Sequence, residues 1–321
     1  MKTTLQEMAG QLLLYDEFII VYHIRPDGDC IGSAYALSLA LRSTGRKCRV
    51  AGSDPVPQKH RFLTDAVPQD TITHPVYISV DTRSPERAGS YAHVHFTFCV
   101  DHHHGNTIDA DFKYVEEDCG ACSEIIFKLI QAMNIPVTPQ MATLLYTALV
   151  MDTRGFLTSD TSPQSFETAA ALKRLGADTW AIGRRYITLK SRGYRTIEDF
   201  LKNSLRFFCQ NRLIIGMITL ADLEAAQIAD SELEGINSFV EQYEEMLIGV
   251  TVRELPGGRS RCSTRTVGDI SADRICQMNG GGGHFHAAVC DLDVPPEEAR
   301  LVMEETCKKV LKEYDDDKIK R

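Results

Sequence analysis

The 321-residue sequence has a single tryptophan, no long apolar run and no surplus of positive charge. No stretch approaches the roughly 18 consecutive apolar residues of a spanning helix, which excludes a helical membrane protein. The first 18 residues carry one lysine and a short apolar patch interrupted by Asp16 and Glu17. They lack the basic, apolar and small-residue order of a secretory signal, so a cytoplasmic location is expected. Lys and Arg number 35 against 44 Asp and Glu, a net charge of −9. Proteins that grip long nucleic acid by its phosphates show the opposite balance. Any nucleic-acid partner is therefore short, and long duplexes are excluded. Of ten cysteines only Cys119-Gly-Ala-Cys122 has metal or redox spacing, and no second pair or histidine couple follows it. The pair reads as the start of a helix, and the cysteines as free thiols of a reducing compartment.

The length calls for two domains. In the first 160 residues, strand-like and helix-like segments alternate. Strands are expected at Glu17–His23, Cys48–Gly52, Val76–Asp81 and Thr97–Asp101, and helices at Ser33–Leu41, Cys122–Met133, Pro139–Val150 and Pro163–Leu175. This is the α/β class, a mainly parallel sheet with helices on both faces. Beyond about residue 185 a basic, polar segment leads into a smaller α/β domain. Its strands are expected at Arg212–Leu220, Met246–Arg253, Arg259–Arg265 and Ala287–Leu292, and a long helix starts at Pro296. The boundaries are 1–185 for the first domain, 186–208 for a linker, 209–316 for the second domain and 317–321 for a charged tail.

The Asp and His residues fall at the ends of the expected strands. His23, Asp27 and Asp29 follow the first, Asp81 ends another, Asp101-His102 ends a third, and Asp152 follows an apolar helix. In an open α/β sheet the carboxyl ends of the strands form the ligand edge. Carboxylates mixed with a few imidazoles suit Mn²⁺ or Mg²⁺. Several carboxylates at one edge repel one another unless cations balance them, and two divalent ions about 3.5–4 Å apart can clamp a phosphoryl displacement. Taken singly, an Asp-Gly-Asp is a surface turn and His102-His103-His104 a solvated loop; the conjunction points to a metal-dependent hydrolase of phosphate esters. His60, His74, His93, His95, His104 and His286 read as core, loop or surface residues.

These segments also resemble a family. His23-Ile-Arg-Pro-Asp27-Gly-Asp29-Cys-Ile-Gly32-Ser33, Val80-Asp81-Thr82, Val100-Asp101-His102-His103 and Leu145–Thr153 are similar, in order, to the four motifs of the DHH phosphoesterases. Thr264-Arg265-Thr266 and Gly280-Gly-Gly-Gly283-His284 resemble the DHH-associated C-terminal domain. Size and architecture are similar to the nano-RNase/pAp phosphatase group. The resemblance implies an active site in the interdomain cleft. It implies one Mn²⁺ on His23, Asp27 and Asp81 and a second on Asp29, Asp81, His102 and Asp152, with Mg²⁺ as an option. His103 then faces the scissile phosphate, Asp101 orients its neighbours, and Arg265, Gly282, Gly283 and His284 contact the substrate. The implied substrates are short oligoribonucleotides, 3′-phosphoadenosine 5′-phosphate (pAp) or linear dinucleotides, and a homodimer is an option. The fourth motif departs from the family pattern, with Arg154 where Gly is usual after Asp152-Thr153. That leaves the loop shape and substrate details open. A RecJ-like exonuclease, a dinucleotide phosphodiesterase, an inorganic pyrophosphatase and a silent nucleotide sensor are the competing readings.

Overall fold

The protein, as a computed structural model, is described over residues 3–233 and 235–320. It divides into two compact units, Met1–Leu189 and Lys190–Arg321. No helix among the described residues is long and apolar enough to cross a membrane.

The first unit is built on five strands, β1 (Glu17–Val21), β2 (Lys47–Ala51), β3 (Val76–Val80), β4 (Phe96–Asp101) and β5 (Ala110–Val115). Their order is β2-β1-β3-β4-β5, and every pairing is parallel. The strand alternation separates two layers. Phe18, Ile20, Ile78, Val80, Phe98 and Val100 point into the main core, with buried side chains of the helices Leu5–Leu12, Gly28–Ser43, Cys122–Ala132 and Pro139–Asp152. Val21 and Cys99 join Ala88, Phe96 and Ile108 in a smaller separate cluster. The α/β class is as expected, with one refinement. Helices were expected on both faces, but their buried side chains gather in the main core, and the smaller cluster is closed by the short Pro85–Tyr91 turns.

Two helix starts matter for the site. Asp27 caps Gly28–Ser43, its Oδ1 accepting from the amides of Asp29 and Cys30 at 3.1 Å each. Thr138 caps Pro139–Asp152, with Pro139 in the first turn. These two helices touch at Gly32, where an added Cβ would lie 2.5 Å from the Leu144 carbonyl oxygen and 2.8 Å from the Ala148 Cβ. The small residue lets the helix carrying Asp29 lie directly against the one ending in Asp152.

The second unit has six strands, β6 (Arg206–Phe208), β7 (Leu213–Ile218), β8 (Ile248–Leu255), β9 (Arg259–Thr266), β10 (Gly282–Gly283) and β11 (Ala287–Leu292), ordered β10-β11-β9-β8-β7-β6. Only β7 and β8 pair in parallel. One core joins this sheet to the Ala272–Gln277 and Pro296–Lys320 helices, and another to the Arg192–Ser204 helix. The segment 186–208, expected as a linker, is therefore shared. A π-helical turn, Gly183–Thr188, closes the first unit, while Tyr194, Ile197 and Leu201 pack with Ile214 and Ile218 of the second. Residues 317–320, expected as part of a charged tail, continue the last helix. Asp315 in that helix anchors it, accepting two hydrogen bonds from Arg212 at 2.7 and 2.9 Å. Arg321 lies outside the described residues.

Gly32→Ala should destabilise the protein by about 1–3 kcal/mol, because its methyl meets backbone. Gly10→Ala, with nothing within 4 Å, should stabilise it by about 0.5–1 kcal/mol by removing helix-interior glycine. Urea midpoints of the two variants check the contrast; equal midpoints would refute the close-contact account.

Candidate metal centre

The strands β1, β3 and β4 are neighbours and run in the same direction. Their carboxyl ends therefore bring His23, Asp81 and Asp101-His102-His103 to one edge. Asp27 and Asp29 join them from the first turn of the Gly28–Ser43 helix, and Asp152 from the last residue of Pro139–Asp152. Asp81 turns out of its strand in a left-handed backbone conformation, φ +55°, an unfavourable state that Asp tolerates better than most residues and that concentrates at functional sites.

The side chains gather in two overlapping sets. His23 Nε2 lies 3.5 Å from Asp27 Oδ2 and 3.6 Å from Asp81 Oδ2. His102 Nε2 lies 3.5 Å from Asp81 Oδ1, 3.4 Å from Asp152 Oδ2 and 3.9 Å from Asp29 Oδ2. These separations are too long for hydrogen bonds. They are close to the roughly 3.0–3.6 Å between ligand atoms that share an ion about 2.0–2.2 Å away. Asp81 presents one oxygen to each set. Its Oδ1 is buried and has no hydrogen-bond partner, which a cation would supply. The six residues fit a divalent metal centre, with Asp81 the candidate ligand common to both sets.

The surroundings fix which nitrogen faces inward. His102 Nδ1–H donates to the Cys119 carbonyl at 3.1 Å, while His23 Nδ1 lies 2.8 Å from the Ile24 carbonyl oxygen and 3.0 Å from the Arg87 guanidinium. In the tautomer that the Cys119 carbonyl selects, the Nε2 lone pair of His102 faces the carboxylates, and Nε2 of His23 points toward Asp27 and Asp81. Asp29 accepts from the Cys122 amide at 2.6 Å, the Ser123 amide at 3.1 Å and the Ser33 hydroxyl at 2.9 Å. Asp101 is fully buried. It accepts from His103 Nδ1 at 2.8 Å and Asn106 Nδ2 at 2.5 Å, which turns the other imidazole nitrogen of His103 away from the support.

Sequence reasoning missed part of this support. The Cys119 carbonyl and the Cys122 and Ser123 amides act through backbone, so no side-chain type announces them. Asn106, five residues past the motif, is legible only from its contact. Cys30 lies within the His23, Asp27 and Asp81 set. Burial, reinforced by Asp27 against the pull of His23, pushes its thiol up to about 12, so it stays neutral and donates to the Asp27 carbonyl at 3.6 Å. Arg154 follows the helix in a left-handed conformation, φ +51°, with Gly155 also left-handed and donating to the Val150 carbonyl at 2.7 Å.

In the second unit, Arg265 lies on β9 and donates to the Thr264 carbonyl at 3.0 Å. His284 is exposed and follows β10. Gly282 and Gly283 were expected among the substrate contacts. Here Gly283 N–H donates to Asp273 at 2.8 Å, and an added Cβ would fall 2.6 Å from the Ala287 carbonyl. Close pairing of β10 with β11 accounts for this glycine.

The electrostatics of the first-unit cluster are those of a centre short of positive charge. Burial, then repulsion from Asp29 and Asp27, pushes Asp81 well above the ordinary carboxylate range. Burial also raises Asp152 to about 8, with Asp29 and Asp27 adding and His102 opposing. For Asp27 burial works upward too, but His23 and the Cys30 amide hold it below its usual value. Burial disfavours a charged His102, yet Asp152, Asp81 and Asp29 push its pKa to about 10. Divalent cations would replace the protons that otherwise relieve this crowding.

Residues 17–149 match the model of the DHH family, N-terminal domain. The bifunctional oligoribonuclease and PAP phosphatase NrnA of Thermus thermophilus is 25% identical over 277 residues, 84% of this chain and 82% of the relative. The protein of that name from Mycoplasma genitalium is 24% identical over 299 residues, 89% and 92% of the two chains. Among solved structures, an exopolyphosphatase-related protein from Bacteroides fragilis superposes with a TM-score of 0.86 at 19% identity, covering 95% of each chain. RecJ from Thermus thermophilus gives 0.53 at 16% identity, over 95% of this chain and 52% of that one.

A raised carboxyl pKa means that the native state holds the proton more tightly than the unfolded chain. The stability contributed by Asp152 is thus lost as pH rises from about 4 toward about 8. The raised His102 acts in the same direction from about 6.5 toward about 10. The metal-free protein should lose melting temperature between pH 5 and 9, and the increase produced by added Mn²⁺ should grow over that range. Asp152→Asn should flatten both trends. Melting curves with chelator or Mn²⁺ test this, and an Mn²⁺ effect larger at pH 5 than at pH 8 would contradict it.

Proposed function

Starting from a DHH-family N-terminal domain, we propose that this chain hydrolyses phosphate esters of small nucleotides, degrading short oligoribonucleotides to 5′-mononucleotides and removing the 3′-phosphate of pAp. The observation that carries the reading is the pair of donor sets joined through the buried Asp81 carboxylate. The oligoribonuclease and PAP phosphatase activities named for relatives matching over most of their length support the substrate class. The net charge of −9 favours short substrates over long strands.

DHH-family enzymes are metal-dependent, and we assign two ions, Mn²⁺ with Mg²⁺ as a substitute. His23, Asp27 and Asp81 would hold one, and Asp29, Asp81, His102 and Asp152 the other. Bound there, the ions would supply charge neutralisation for the phosphoryl group and activation of a water nucleophile. The protein's own part is positional. Asp101, itself held by Asn106, fixes the His103 ring through Nδ1, and the other nitrogen would contact the phosphate and stabilise charge developing on it. The amides of Cys122 and Ser123 fix Asp29 so that its remaining lone pairs have one direction. For the second unit, we assign Arg265 and His284 as contacts for an anionic substrate group, with Gly282 and Gly283 shaping the turn before His284.

The test is a panel of substrates with Mn²⁺: dinucleotides, oligoribonucleotides of increasing length, long single strands and pAp. The wild type should release mononucleotides fastest from the shortest chains and phosphate from pAp. His102→Ala should abolish turnover, His103→Ala should lower kcat about 10²–10³-fold, and Asp101→Asn about 10–100-fold. Full activity in His102→Ala would sink the assignment, and faster cleavage of long strands than dinucleotides would favour a RecJ-like exonuclease.

A further inference from the structure

One group of side chains beside the centre has no part in holding it. Phe62, in the short Arg61–Thr64 helix, leaves 47% of its surface exposed. The guanidinium of Arg185, itself exposed, lies over that ring at 4.0 Å from the centroid. Among the described residues no carboxylate pairs with Arg185. The Tyr186 ring is 6.3 Å from Phe62 and stacks on His60 at 5.4 Å. His60 Nδ1–H donates to the Tyr186 oxygen at 2.8 Å, and the tyrosine hydroxyl donates to the Lys59 carbonyl at 3.3 Å.

This stack connects to the metal edge. His60 is fully buried, and its Cε1 is 3.5 Å from where a Cβ on Gly28 would stand. Gly28 lies between the candidate ligands Asp27 and Asp29. The stack therefore rests on the turn that carries two of the six candidate ligands. Tyr186, half-buried and hydrogen-bonded at both of its partners, is enough to fasten the Gly183–Thr188 turn. The exposed Phe62–Arg185 pair is not needed for that. A half-exposed aromatic ring carrying a guanidinium that no carboxylate pairs, joined through Tyr186 and His60 to the turn of Asp27 and Asp29, has the chemistry that holds a base by stacking and cation–π contact.

We propose that Phe62 and Arg185 form a stacking platform for the nucleobase of the nucleotide whose phosphate sits at the metal centre. The proposal deepens the functional reading above and rests on it. It gives the first unit a means of telling a nucleotide from other phosphate esters, with no reading of base edges. Tolerance of all four bases follows, since each has a π face.

The experiment compares binding of adenosine 5′-monophosphate and the baseless ribose 5-phosphate to the full chain with Mn²⁺, by titration calorimetry. Wild type should bind the nucleotide at least about 10-fold more tightly. Phe62→Ala and Arg185→Ala should each bring that ratio toward one while leaving ribose 5-phosphate affinity in place. Phe62→Trp, made with Trp180→Phe so that residue 62 is the only indole, should keep the preference and lose fluorescence on binding the nucleotide. Equal affinities in the wild type, or a ratio unchanged in both alanine variants, would overturn the platform. Should Phe62→Ala fail to fold, the exposed Arg185 position decides alone. Base preference in a protein that hydrolyses neither dinucleotide nor pAp would remove the proposed activity and leave the platform standing. Hydrolysis without base preference would do the reverse.

Discussion

Mutual repulsion among Asp27, Asp29, Asp81 and Asp152 is the constraint around which the first unit is arranged. Asp29 and Asp81 are each only 2% exposed, so water cannot screen them. Brought together without compensation, they would be protonated or would push the edge of the sheet apart. The fold answers with partial positive charge from several directions. The first turn of the Gly28–Ser43 helix directs the amides of Asp29 and Cys30 at Asp27, and the first turn of Cys122–Ala132 directs two amides at Asp29. Helix N-termini are suited to this, since their amides have no partner inside the helix. The remaining imbalance is what divalent cations would neutralise.

That arrangement makes the packing beneath it functional. Asp152 reaches the centre only because its helix lies tightly on the one behind Asp29, an approach that Gly32 permits. The strained backbone of Asp81 is held by its amide, which donates to the Val100 carbonyl on the neighbouring strand at 3.0 Å. Each candidate ligand is thus set by an element whose position the core fixes, the condition for holding a reacting group within a fraction of an ångström. The Phe62–Arg185 pair is of the other kind, exposed and free to meet a ligand.

Much of this was legible in the chain, because residue type and strand ends are local properties. Short apolar runs marked β1, β3 and β4, and the Asp and His residues at their ends marked the edge. Where the reading missed, the reason is physical. β5 carries Asp111 and Lys113 and no continuous apolar run, so its pattern is that of a loop. The Leu5–Leu12 helix is marked in the sequence by the Thr4–Glu7 capping box, although its apolar patch is short. The charged residues expected as a tail at 317–321 run on from a helix that Arg212 anchors just before them, through Asp315. The resemblance made the glycines before His284 substrate contacts, whereas the β10–β11 pairing by itself already demands glycine at Gly283.

The sequence by itself determined the chemistry on offer: which side chains can hold a hard cation, that they follow strands, and that the chain's charge disfavours long polyanions. Only the tertiary structure decided that β1, β3 and β4 are neighbours, since strand order depends on contacts between residues dozens of positions apart. It also decided that Asp81 faces both donor sets, that backbone groups of Cys119, Cys122 and Ser123 orient His102 and Asp29, and that Arg185 lies over Phe62. A side chain's identity is written at its own position. Its direction is set by what packs against it, and those partners come from elsewhere in the chain.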